Sequence, residues 1–206
     1  MNQLLRRSVL TLALVVTLAA VALAPADGAT TQAPHVDPPA TYTTTIVVDD
    51  LDADGHVVAS HTITGEPRPL GTRQTIKGSP RPFLDTGVGG LPSASGCRAL
   101  TVTNKTTTTL GFTAFKFITE VHWCWNLAKG RTTLSSVEVR VANVDSQYRY
   151  RGVVNAFNQT ISHGKRVYRQ GHFDNCITHY GCINAYYPSN DSRVYDSGMW
   201  SWTTNG

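Results

Sequence analysis

Cys97-Arg-Ala-Leu-Thr-Val-Thr-Asn-Lys-Thr-Thr-Thr-Thr-Leu-Gly-Phe-Thr-Ala-Phe-Lys-Phe-Ile-Thr-Glu-Val-His-Trp-Cys-Trp125 is the stretch on which the fold turns. Its first half is threonine-rich and β-branched, Leu110-Gly111 punctuates it, and its second half alternates. Side chains of a strand point to opposite faces with period two. Phe115, Phe117, Val121, Trp123 and Trp125 therefore share one face, and Lys116, Ile118, Glu120, His122 and Cys124 the other. A turn centred on Leu110-Gly111 sets Cys97 opposite Cys124 across a hairpin, at a bridgeable separation.

The same period continues on the C-terminal side. Over 134–144 it sets Val137, Val139 and Val141 inward and Ser136, Glu138 and Arg140 outward. Over 146–155 it opposes Tyr148 and Tyr150 to Arg149 and Arg151. Runs at 163–173, 182–187 and 193–203 complete the set. No window of eleven residues beyond the leader has helical period. Turn signals about every ten residues, without an internal repeat, predict an all-β chain: an antiparallel β-sandwich or small barrel over 97–206.

Cys97…Trp123-Cys124-Trp125…Cys176-x5-Cys182…Trp200-x-Trp202 resembles the arrangement in uncharacterised small secreted β-sandwich proteins of bacteria. The resemblance rests on Cys and Trp spacing and covers 97–206. It implies no activity and supplies no catalytic residue.

Upstream, Tyr42–Val48 and Val57–Thr64 flank Asp54-Gly55 and read as an acidic β-hairpin over 42–65. Residues 27–41, with three prolines, read as a flexible leader. Residues 66–96, rich in Pro and Gly, read as a loop or linker. Residues 27–96 carry four basic and eight acidic groups, residues 97–206 twelve basic and six acidic. The two parts attract one another, and the hairpin either docks on the main sandwich or stands apart.

The chain opens with Arg6-Arg7 and an apolar run from Val9 to Ala24, followed by Ala24-Pro25-Ala26. This is the pattern of a secretory signal peptide over 1–26, cleaved after Ala26. Pro25, Asp27 and Gly28 interrupt what a membrane anchor would continue, so no span is expected in the mature protein. Export places Cys97, Cys124, Cys176 and Cys182 in an oxidising compartment, which favours two disulfides. Of three connectivities, spacing favours Cys97–Cys124 and Cys176–Cys182, the second closing a short loop that bends at Gly181.

Composition narrows the function. Charged residues make up 16% of 206 and the formal net charge is +4. Both values are too low for a disordered polyelectrolyte, and the net charge does not by itself argue for nucleic acid. Asp50-x-Asp52-x-Asp54-Gly55 spaces carboxylates as a Ca²⁺ loop does, but its twelfth position is His61 where a bidentate glutamate is needed. A solvated hairpin tip is the plainer reading. His172-x3-Cys176-x2-His179-x2-Cys182 has the residue types of a Zn²⁺ site, which a Cys176–Cys182 bridge would abolish. Gly-x-Ser-x-Gly is absent, and Glu120 beside His122 is a surface pair before it is an active site. Arg149, Arg151, Lys165, Arg166 and Arg169 could form a basic stripe facing an anionic envelope polymer. Asn104, Asn158 and Asn190 begin glycosylation triplets that carry no weight in a bacterial product.

Aromatic residues are the surplus. Trp200 and Trp202 share a strand face just after Tyr186-Tyr187. Exposed, these four would form a stacking platform for sugars; buried, the tryptophans would be core. The sequence thus predicts a secreted binding protein without catalytic activity and with no cofactor beyond a weak Ca²⁺ reading. Its expected ligand class is an extracellular polysaccharide or envelope component. The alternative is a small extracellular hydrolase using a His/carboxylate pair.

Overall fold

The computed structural model describes residues 39–78, 94–177 and 180–206. Among these residues twelve strands form two antiparallel sheets. The first runs β2 (Val57–Thr64), β1 (Pro39–Leu51), β5 (Ser95–Thr108), β6 (Thr113–Asn126) and β7 (Arg131–Ala142), with the short β3 (Arg68–Pro69) also on β1. The second runs β8 (Tyr148–Ile161), β9 (Gly164–Ile177), β11 (Ser189–Tyr195), β12 (Trp200–Asn205) and β4 (Arg73–Gly78). β10 (Gly181–Tyr186) continues beside β9 beyond the end of β11. The sheets pack face to face as a sandwich.

The deciding stretch folds as its alternation predicts. β5 and β6 turn at Leu110-Gly111, where Gly111 has φ 88°, and Cys97 pairs with Cys124 in the ladder. Phe115, Phe117, Val121, Trp123 and Trp125 are all buried. Both disulfides are present, Cys97–Cys124 with Cα atoms 4.0 Å apart and Cys176–Cys182 with Cα atoms 3.8 Å apart.

Two apolar clusters form the core. Ile46, Leu100, Val102, Val121, Trp123, Val167, Val194 and Trp202 lead one, and Phe115, Phe117, Tyr148 and Phe173 lead the other. A buried polar belt lies between them. Thr44 Oγ1 donates to Asn104 Oδ1 at 3.0 Å and meets Thr204 Oγ1 at 3.1 Å. Asn104 Nδ2 donates to Asn190 Oδ1 at 2.9 Å, and Asn190 Nδ2 to Thr119 Oγ1 at 2.9 Å. The belt ties β1, β5 and β6 to β11 and β12, so Asn104 and Asn190 are interior struts and not glycan acceptors.

Three boundaries differ from the sequence reading. β1 begins at Pro39, inside the expected leader, and pairs with β5 from Pro39 to Leu51. The acidic hairpin is thus part of the first sheet. The Pro/Gly-rich stretch 66–96 contains β3 and β4, and β4 crosses to pair with β12 in the second sheet. The run 193–203 is two strands, β11 and β12, joined by a tight turn in which Gly198 has φ 74° and Tyr195 N donates to Met199 O at 2.9 Å. Residues 1–38, which hold the signal peptide and most of the leader, lie outside the described residues, as do 79–93. Among the described residues no helix is long and apolar enough to cross a membrane.

Candidate functional site

The turn just before Trp200 decides the fate of the sugar platform. Because β12 starts immediately after it and covers the inner face, Trp200 and Trp202 are 5% and 1% exposed and belong to the core. Tyr186 packs against the second cluster, where burial raises its pKa. Tyr187 is exposed and stacks on His172 at 4.8 Å. The expected four-residue surface is therefore not presented to solvent.

The acidic tip resolves in the same way. β1 runs through Leu51, so Asp50 is a ladder position turned to the inner face, where it pairs with the buried Arg98. Asp52 instead closes the turn: its Oδ1 accepts from Asp54 N at 2.9 Å and His56 N at 2.8 Å. The His56 N–H, the largest influence on it, holds the Asp52 carboxyl below its ordinary pKa. Asp52 and Asp54 approach one another with His56, but Asp50 is not of their group. The Ca²⁺ set of the sequence is not assembled.

The Zn²⁺ candidate loses its thiolates to the Cys176–Cys182 bridge. His172 Nε2 lies 2.7 Å from Asp174 Oδ1, and His179 is outside the described residues. Glu120 does meet His122, at 2.7 Å, and Arg140, at 2.5 Å. Glu138 stands directly across the ladder from Glu120, a register the sequence did not expose. These side chains lie on the open outer face of the first sheet. The expected basic stripe divides between the two faces of its sheet. Arg151 and Arg166 point outward to Asp174 and Asp191, at 2.6 Å each, while Lys165 and Arg169 sit on the inward set with Val167.

Beside that inward set lies a concavity that gathers polar chemistry. Among the described residues β8 pairs with β9, and the C-terminal half of β8 is mostly exposed. This groove of about 550 Å³ is lined by Arg131 and Thr132 of β7, Asn158 and Thr160 of β8, Lys165 of β9 and His163 of the β8–β9 turn. The twelve residues lining it include two permanent cations and no carboxylate. Lys165 Nζ donates to Thr160 Oγ1 at 2.7 Å. The Thr132 hydroxyl is buried and has no protein partner.

His163 is held unusually. Its φ is 59°, in the left-handed region that non-glycine residues seldom adopt. The glycine of this turn is required one position later, because a Cβ on Gly164 would lie 2.3 Å from Val194 O. Asp196, on the β11–β12 turn and 6% exposed, clamps His163 twice. Its N–H donates to His163 O at 2.8 Å, and its Oδ2 lies 3.1 Å from His163 Nδ1. A carboxylate only accepts, so Nδ1 carries the hydrogen and Nε2 of the neutral ring is a free lone pair. Sequence reading missed this pair, whose members lie 33 residues apart. The visible signals were Ser162-His163 where a two-residue hairpin turn ordinarily takes Asn-Gly, and polar residues on both faces of β8.

No protein-family model matches the chain, and comparison with curated proteins and with solved structures finds no match. The functional reading rests on the site.

Proposed function

We propose that the protein is a secreted extracellular binding module without catalytic activity, and that the groove between β7 and the β8–β9 hairpin takes an anionic polysaccharide. The observation that carries this is the composition of the groove. Arg131 and Lys165 line a space together with Thr133, Asn158, Gln159 and Thr160, and no carboxylate is among its lining residues. Cations with no carboxylate among the lining residues, the nearest being the buried Asp196 against His163, favour an acid group; amides and hydroxyls suit the sugar hydroxyls beside it. Two disulfides and the export signal read at 1–26 support an extracellular setting.

Titration calorimetry of residues 27–206 with dextran sulfate and polygalacturonate, beside neutral dextran, tests the proposal. Binding to the anionic polymers alone is expected, weakening with added salt and lost in Arg131→Glu/Lys165→Glu. Equal binding by that variant, shown folded by circular dichroism, or no binding by the natural sequence, would overturn it. His163–Asp196 favours a second reading, the small hydrolase with an oriented base. New reducing ends in the same polygalacturonate mixtures would select it.

A further inference from the structure

Building on that reading, we infer that His163 makes anion binding in the groove proton-dependent, with Asp196 as the positioning residue that fixes its ring. The residues lining the groove include two permanent cations and one histidine, the side-chain type that can serve as a proton-dependent cation. Asp196 contacts the ring of His163, whose side chain is 76% exposed, and Arg131 of β7 and Lys165 of β9 are the other charged residues lining the groove. Neutral His163 presents a lone pair at Nε2, which meets a ligand hydroxyl but not an anion. Protonated, the same atom becomes a third cationic donor. Asp196 keeps its contact with Nδ1 in both states, so the ring does not have to turn for the change to be felt.

The sign follows from linkage. A bound anion favours the charged ring, so binding takes up a proton and affinity rises as pH falls through the histidine range.

The test uses dextran sulfate, whose sulfate esters stay ionised throughout, and compares affinity at pH 8.0 and 5.5. A rise of about fivefold or more is expected for the natural sequence. His163→Asn, which the turn tolerates, should hold affinity within about twofold across the same range. Asp196→Asn keeps an acceptor for Nδ1 but removes the charge, and should move the rise to lower pH. Parallel pH profiles in the natural sequence and His163→Asn would overturn the inference while leaving the anionic groove intact. Absence of binding at both pH values would overturn the groove reading itself, and the inference with it.

Discussion

Asp50 and Arg98 face each other in the β1–β5 ladder, and the Arg98 guanidinium, 8% exposed, donates to the Asp50 carboxylate. The same guanidinium lies 5.0 Å over the Trp125 ring and donates to Gly198 O at 2.7 Å. One arginine thus joins the acidic hairpin, the aromatic core and the β11–β12 turn. Removing one partner of a buried pair leaves a charge uncompensated, at about 3–5 kcal/mol. Because the Asp50 side chain is 20% exposed, Asp50→Ala is expected near the lower end. Urea unfolding should also show that Asp50→Ala/Arg98→Met loses less than Asp50→Ala alone. A single-variant cost below about 1 kcal/mol, as for a surface pair, would contradict this account.

Gly198 is constrained twice, by φ 74° and by Trp125, whose ring a Cβ would approach to 2.8 Å. Gly55 shares the positive φ, at 86°, but a Cβ there meets nothing within 4 Å. Gly55→Ala should therefore cost only the left-handed conformation, about 1 kcal/mol. Gly198→Ala should add an overpacking cost of about 1–3 kcal/mol. Equal losses in parallel denaturant titrations would show that the Trp125 contact yields freely.

Trp202 distinguishes core from binding surface. Trp202→Ala should destabilise by about 3–5 kcal/mol, against less than about 0.5 kcal/mol for a surface ring. Its indole N–H is buried with no protein partner, so Trp202→Phe removes an unsatisfied donor along with some volume. Trp202→Phe is expected to lose under half of what Trp202→Ala loses, by the same unfolding measurement.

Asp174 sets a pH prediction. Arg151, the leading cause, and His172 hold its carboxyl below the ordinary value. A depressed carboxyl contributes stability that is present above its unfolded pKa and lost as pH falls through the folded one. Arg151→Met should therefore flatten the decline in Tm on the acid side, below about pH 4, with little change in its shape near neutrality. An acid limb identical to that of the natural sequence would remove Arg151 as the cause.

What could be read in advance was what period two governs. Alternation fixed the faces of β6, and the Leu110-Gly111 turn then fixed the partner of Cys97. Three things depend on contacts that period two does not encode. Asp50 looks like a loop ligand until β1 is seen to run one residue beyond it. Trp200 and Trp202 look equally suited to core or surface until a turn at Gly198, carrying neither Pro nor Asn-Gly, brings β12 back against β11. His163 and Asp196 belong to different hairpins and meet only because β9 and β11 are neighbours. The groove lies along the C-terminal half of β8, and Asn158 and Thr160 there are its trace in the sequence; the N-terminal half packs through Tyr148 against Phe115 of the first sheet.

The disulfides differ in what they constrain. Cys97–Cys124 spans 27 residues and Cys176–Cys182 spans 6. In the chain-entropy account, stabilisation grows with the logarithm of the closed loop, giving about 3.6 kcal/mol for the first and about 2.4 kcal/mol for the second. Alkylation of the denatured, unreduced protein should add no mass. Cys97→Ala/Cys124→Ala should then lose more stability than Cys176→Ala/Cys182→Ala. The first bridge also joins strands whose ladder and Trp123–Trp125 packing persist without it, so that variant should still fold, with a lower denaturant midpoint. The second bridge joins β9 to β10, whose side chains are mostly exposed, so less native packing backs it up. Were the 176–182 variant the less stable of the two, local order at β10 would outweigh loop entropy in holding this end of the second sheet.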